Sequence, residues 1–165
     1  MCRGCALGKY TKTSFPSSEH RAIGILDLVH SDVCGPMSTV SLSGHEYYVS
    51  FIDDYSRKTW IYFLKAKGEV FDRFQEFKAL VENQTGKKIK VLRSDNGGEY
   101  TGHEFEDFYI QHGIHRQLTV PYNPQQNGVA ERKNRVIIGA TRAMLHDQDL
   151  PLFLWTEACR TAVYL

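Results

Sequence analysis

The chain has 165 residues, 42% of them hydrophobic and 24% charged, which is the size and composition of one globular domain with a substantial core. A formal net charge of +1 excludes a strong overall pull toward nucleic acid, so a polyanionic partner has to be met by a local basic patch. Four cysteines, no apolar leader and no apolar run of bilayer length exclude a disulfide-stapled secreted scaffold and a membrane span, and point to a soluble chain in a reducing interior.

Residues 1–22 differ in kind from the rest. In MCRGCALGKYTKTSFP, Cys2 and Cys5 form a CxxC, half of a tetrahedral zinc site that needs two more ligands. The next histidine, His20, has no partner at ligand spacing, so Zn²⁺ is not expected to bind to this chain. The segment reads as a basic arm and linker.

An α/β pattern begins at residue 23. Segments 25–33, 47–53 and 58–64 are rich in Val, Ile, Tyr, Phe and Trp, with turn signals between them, and predict a three-strand antiparallel meander. Near-continuous apolar character in YYVSFI and TWIYFL requires cover on both faces, so helices must follow. Residues 68–84 supply the first, with Val70, Phe71, Phe74, Phe77, Leu80 and Val81 at helical spacing opposite Asp72, Arg73, Glu76 and Lys78.

The stretch VLRSDNGGEY ends the next strand on Asp95, and Asn96-Gly97-Gly98 predicts a sharp exit at positive φ. On its own, Asp95 is readily a residue that starts a turn. Topology gives it company. The third strand of a meander runs parallel to the first, and a right-handed crossover from it places the fourth beside the first. Asp32, at the end of the first apolar run, and Asp95 then emerge together where α/β sheets hold ligands. A helix over 102–112, a short strand over 114–119, a long helix over 125–146 carrying Glu131, and a helical tail over 150–165 complete the order.

Asp32, Asp95 and Glu131 thus stand at a strand end, a strand exit and a helix start. Carboxylates brought together repel one another unless a cation neutralises them, and oxygen donors of this hardness suit Mg²⁺ or Mn²⁺. Three of them accommodate two ions, the arrangement used for in-line phosphoryl displacement. Asp53, Asp54 and Glu99 read instead as turn and supporting acids. Between residues 115 and 145 the basic residues are Arg116, Arg132, Lys133, Arg135 and Arg142, against the single acid Glu131. Asn134 and Arg135, three and four residues past Glu131, are expected to bond DNA, with Lys133 and Arg142 adding charge and Asn127 on the loop before the helix.

The motifs HSDVCGP, FIDDYSRKTWIYFLK, RSDNGGEY, PYNPQQNGVAERKNR and LPLFLWTEA, in that order, resemble the catalytic core of retroviral-type integrases, specifically the copia-type LTR retrotransposon branch. The resemblance implies a ribonuclease-H-like α/β fold: a mixed five-stranded sheet, order 3-2-1-4-5, with helices on both faces. It implies a catalytic and metal-binding triad of Asp32, Asp95 and Glu131 with two Mg²⁺ or Mn²⁺ ions. The activity it implies is 3′-end processing and strand transfer of element DNA into target DNA, by a homo-oligomer of the full protein acting in the nucleus. Cys2 and Cys5 would close a zinc-binding domain whose histidines precede them. The division expected is a remnant of that region over 1–22, the core over 23–150, and the start of a further helical segment over 151–165. Two alternatives stand beside it: another nuclease of the same fold, and an inactive retroelement relic that binds nucleic acid without turnover.

Overall fold

Alternation along the strands divides their side chains between two faces, and the structure, a computed structural model whose described residues are 21–118 and 128–164, fills both. Strands β1 (Val29–Cys34), β2 (Tyr47–Asp53) and β3 (Thr59–Leu64) form the expected antiparallel meander. Helix α1 (Val70–Thr85) returns the chain to β4 (Val91–Ser94), which pairs parallel with β1. Helix α2 (His103–His112) leads to β5 (His115–Leu118), parallel to β4. Helices α3 (Gly128–Asp147) and α4 (Trp155–Tyr164) follow. The result is one mixed five-stranded sheet in the order β3-β2-β1-β4-β5.

Each face has its own core. On one, Val29, Val49, Phe51, Leu64 and Leu92 meet Phe74, Phe77 and Val81 of α1 and Phe105 and Tyr109 of α2. Phe51 stacks on Phe77 with ring centroids 4.5 Å apart, and Trp60 meets Phe77 edge-on. On the other face, Tyr48 and Phe63 pack against Ile137 and Leu145 of α3 and Trp155 and Cys159 of α4. Burying each large side chain stabilises the fold by about 1.5–3 kcal/mol. Trp155 Nε1 donates to the Thr39 carbonyl at 3.0 Å, and Leu154, Ala158, Ala162 and Val163 join the same core. Among the described residues no helix is long and apolar enough to cross a membrane.

Three local expectations are corrected. The first strand begins at Val29 rather than residue 25, because Leu26 has φ +64 and its N–H is bonded to Asp53 Oδ1 at 2.8 Å. The apolar run there is a buried turn. Leu80 is 41% exposed: the stripe Val70, Phe74, Phe77, Val81 faces the sheet and leaves it to the side. Lys78 is buried in its place, its stem along the apolar surface and its ammonium on Glu82 Oε2 at 2.9 Å. The exit after β4 uses no positive φ at Gly97 or Gly98; instead Asp95 Oδ1 accepts the Gly97 N–H at 3.2 Å, closing a side-chain turn into the 3₁₀ segment Gly98–Tyr100. Left-handed glycines occur as helix caps after α1 and α2, at Gly86 and Gly113.

Arg21 donates to the Tyr55 carbonyl at 2.8 Å and the Ala22 N–H to Asp54 Oδ2 at 2.7 Å. Cys2, Cys5 and Asn127 lie outside the described residues, as do all of residues 119–127.

Candidate active site

The pairing of β1 with β4 runs Val29 to Leu92 and His30 to Arg93, and the same register carried two places further sets Asp32 level with Asp95. The ladder stops before it gets there. β4 ends at Ser94 and the chain turns away at Asp95, while β1 continues to Cys34 bonded to β2 alone. A gap therefore opens between the carboxyl ends of two parallel strands, with one aspartate on each side. Asp32 lies on the sheet face shared by Cys34, the face that α3 covers. Helix α3 brings Glu131 in its first turn.

The electrostatics tie the three carboxylates together. Burial pushes the Asp32 carboxyl up to about 6; a hydrogen bond from Asn134 pulls it down, and the charges of Asp95 and Glu131 push it further up. Among the described residues no three His, Cys, Asp or Glu side chains gather closely enough to ligate one ion together. The donor set nonetheless suits a hard divalent cation, because its most buried member carries a like-charge penalty that such a cation would relieve.

Asn134 is placed differently from the expectation that it reaches DNA. The face of α3 turned to the sheet carries Ala130, Asn134, Ile137, Thr141 and Leu145, so position 134 points inward and is only 5% exposed. Its Nδ2 donates to Asp32 Oδ2 at 2.9 Å, and its Oδ1 accepts the Tyr48 hydroxyl at 3.3 Å. Burial holds the Tyr48 phenol above its ordinary range, so the phenol stays a donor and fixes which end of the amide faces Asp32. Glu131 stands at the margin of this stripe and Arg135 on the exposed side.

Two supports escape the sequence reading. Tyr100 is fully buried, and its hydroxyl lies 2.7 Å from Ser31 Oγ, fastening the loop that carries Asp95 to the strand that carries Asp32. The signal available was a serine directly before Asp32 in the strand VHSDVC. Tyr48 is the second; it read simply as core in YYVSFI. Asp53 and Asp54 are buried turn acids: Asp53 binds the Leu26 and Ser56 N–H groups, and Asp54 Oδ1 meets His30 Nε2 at 2.8 Å and Arg57 at 3.1 Å. Lys133 is half-buried on α3, whereas Arg135 and Arg142 are exposed, and the charge of Arg142 reaches the Cys34 thiol at the end of β1.

The chain is similar to known proteins in both sequence and fold. The family described as the integrase core domain matches residues 26–124, a span that contains Asp32 and Asp95 and is followed by Glu131. Over 164 residues, 99% of its length, the chain is 56% identical to the retrovirus-related Pol polyprotein from transposon TNT 1-94 of Nicotiana tabacum and spans 12% of it. It is 38% identical over the same length to the corresponding polyprotein from transposon RE2 of Arabidopsis thaliana, of which it spans 11%. Among solved structures it is similar to a chain of a simian T-cell lymphotropic virus intasome, at 17% identity and TM-score 0.70, covering 99% of this chain and 56% of that one. It is also similar to the HTLV-2 integrase catalytic core domain in complex with magnesium, at 20% identity and TM-score 0.63, covering 87% and 88%. These two likenesses establish the ribonuclease-H-like fold. The family match over more than half of the chain places the protein: it belongs to the integrase core domain family, and its homologues over nearly the whole chain are Pol polyproteins from plant copia-type transposons.

Proposed function

We propose that this chain is the catalytic unit that trims the 3′ ends of element DNA and joins them to target DNA, acting on chromosomal DNA in the nucleus as part of an oligomer of the full protein. What supports the reading is that β1, the exit of β4 and the first turn of α3 bring Asp32, Asp95 and Glu131 near enough for the charges of the last two to act on the Asp32 carboxyl. These three residues would hold two Mg²⁺ or Mn²⁺ ions. Bound there, the ions would supply activation of an attacking hydroxyl and neutralisation of the leaving oxygen in an in-line phosphodiester displacement.

The chain's own residues prepare that site. Asn134, aimed by Tyr48, holds the Asp32 carboxylate in one orientation. Tyr100 fixes the Asp95 loop against β1. Asp95 itself uses one oxygen to close the turn at Gly97, so its carboxylate enters the site in a set orientation. Lys133, Arg135 and Arg142 along α3 supply attraction to phosphates without regard to base sequence.

The test is Mg²⁺- or Mn²⁺-dependent cleavage of a branched DNA that mimics the joined product. Asp95→Asn and Glu131→Gln should each lose activity by orders of magnitude, as members of one unit do, whereas Asp72→Asn, on the exposed side of α1, should match the parent. Activity within a few-fold of the parent in either of the first two variants overturns the assignment.

A further inference from the structure

A second cationic feature lies away from the carboxylates. The β2–β3 turn and the first turns of α3 enclose a groove of about 340 Å³ lined by Ile52, Arg57, Val129, Arg132, Lys133 and Val136. Three of the six are cations and none is an acid. Positions 129, 132, 133 and 136 recur at helical spacing, so they form one continuous strip of α3. The strip begins in the helix's first turn, where unpaired N–H groups and the helix dipole favour negative charge.

The groove's chemistry is mixed in a way that narrows its occupant. Val136 is 64% exposed and, with Val129 and the almost wholly buried Ile52, supplies an aliphatic lining beside the three cations. A bare inorganic anion gains nothing from such a lining. A sugar–phosphate backbone gains from both, because its deoxyribose rings are apolar on one side and its phosphates repeat at the spacing of a strand. Arg57 is set in place for this: its Nη1 is held by Asp54 at 3.1 Å, and Asp54 is held in turn by His30. The guanidinium has five donors, so that ion pair leaves others for a ligand. Asp54 offsets part of its charge, which makes Arg132 and Lys133 the stronger attractors.

We infer that this groove is a second nucleic-acid contact, one that grips the sugar–phosphate backbone of DNA on the side of α3 away from the Asp32–Asn134 contact. Arg132 and Lys133 follow Glu131 directly in the chain. A strand whose phosphate lies at the carboxylates is therefore within reach of the groove within a few nucleotides. The inference rests on the DNA-joining reading above and adds to it a surface that includes Arg57, on a different element from the helix.

The experiment measures binding of a fluorescent 20-base-pair duplex of arbitrary sequence across a series of salt concentrations. The proteins are the parent chain, Arg57→Gln, Arg132→Gln, the double variant, and Lys87→Gln as an exposed control just past the end of α1. Circular dichroism melts check that each is folded; Arg132→Gln carries the test if loss of the Asp54 ion pair unfolds Arg57→Gln. Each groove substitution should lower the slope of log K against log salt by about 0.9, and the double variant by about twice that, with Lys87→Gln unchanged. An unchanged slope in folded Arg132→Gln overturns the groove while leaving the integrase reading standing. With fluorescent polyglutamate as a second probe, a groove variant that loses polyglutamate binding but keeps DNA binding also overturns it, in favour of an acidic peptide. A parent chain that neither binds the duplex nor cleaves branched DNA overturns the DNA-joining reading, and the groove with it.

Discussion

The Asn134 side chain donates from Nδ2 to Asp32 Oδ2 across 2.9 Å, joining residues 102 positions apart. Its other end accepts from Tyr48, so one amide spans from a core phenol to the most buried acid of the site. The bond lowers the Asp32 carboxyl against the burial that raises it. It also gives the acid a fixed direction before any cation arrives.

Asn134→Ala removes both bonds at once and leaves the buried Tyr48 hydroxyl without its acceptor. A loss of about 1–3 kcal/mol in urea unfolding is expected. The Asp32 carboxyl, followed by carbon NMR, should titrate higher than in the parent. Unfolding that matches the parent would show that the amide supports nothing.

Asp32 sets a pH dependence of metal-free stability. Its folded value of about 6 lies above the ordinary 3.8, so its contribution is fully present below about pH 4 and is lost as pH rises through 6. Near pH 7.5 the buried charge costs about 1–2 kcal/mol, after allowing for partial exposure. Asp32→Asn removes that cost, and the introduced amide oxygen still accepts from Asn134. The variant should melt higher than the parent at pH 7.5 without metal and lose that advantage by pH 4. Added Mg²⁺ should raise the melting temperature of the parent more than that of the variant. A variant less stable than the parent at pH 7.5 contradicts the account.

Tyr100 and Ser31 call for a double-mutant cycle. Tyr100→Phe leaves the buried Ser31 hydroxyl unsatisfied, at about 1–2 kcal/mol, and Ser31→Ala does the same to Tyr100. The double variant should cost less than the sum of the singles, because both orphans disappear together. Metal-dependent cleavage should fall in the singles through loosening of the Asp95 loop. Strict additivity in stability would mean the two hydroxyls do not interact.

Glu82 joins the end of α1 to the approach to β4, accepting from Lys78 and Lys88 on Oε2 and from the Ile89 N–H on Oε1. Burial alone would raise its carboxyl, but these three donors outweigh it and hold it below the ordinary 4.5. Its contribution is therefore present above that value and lost as pH falls through the lowered one. Glu82→Gln should destabilise by about 1–2 kcal/mol at pH 7, and the gap to the parent should close in acid. A gap that persists unchanged to low pH would remove the charge from the explanation.

Much of this was written locally in the chain. Near-continuous apolar runs at 47–53 and 59–64 specify strands covered on both faces, and the stripe Val70, Phe74, Phe77, Val81 specifies a helix, because both patterns are carried by residues that are neighbours in the chain. Strand order followed from the meander and the handedness of the crossover, and with it the pairing of Asp32 and Asp95 at one end of the sheet. The rotation of α3 did not follow. Sequence puts Asn134 beside Glu131 on a helix but does not say which edge of the stripe faces the sheet; packing of Ile137 and Leu145 against Tyr48 and Phe63 decided that, and turned Asn134 inward to Asp32. The same holds for Leu26, Lys78, the Ser31–Tyr100 bond and the groove around Arg57 and Arg132. Each depends on which distant side chain fills the opposite side of a contact, and short-range periodicity carries no information about that.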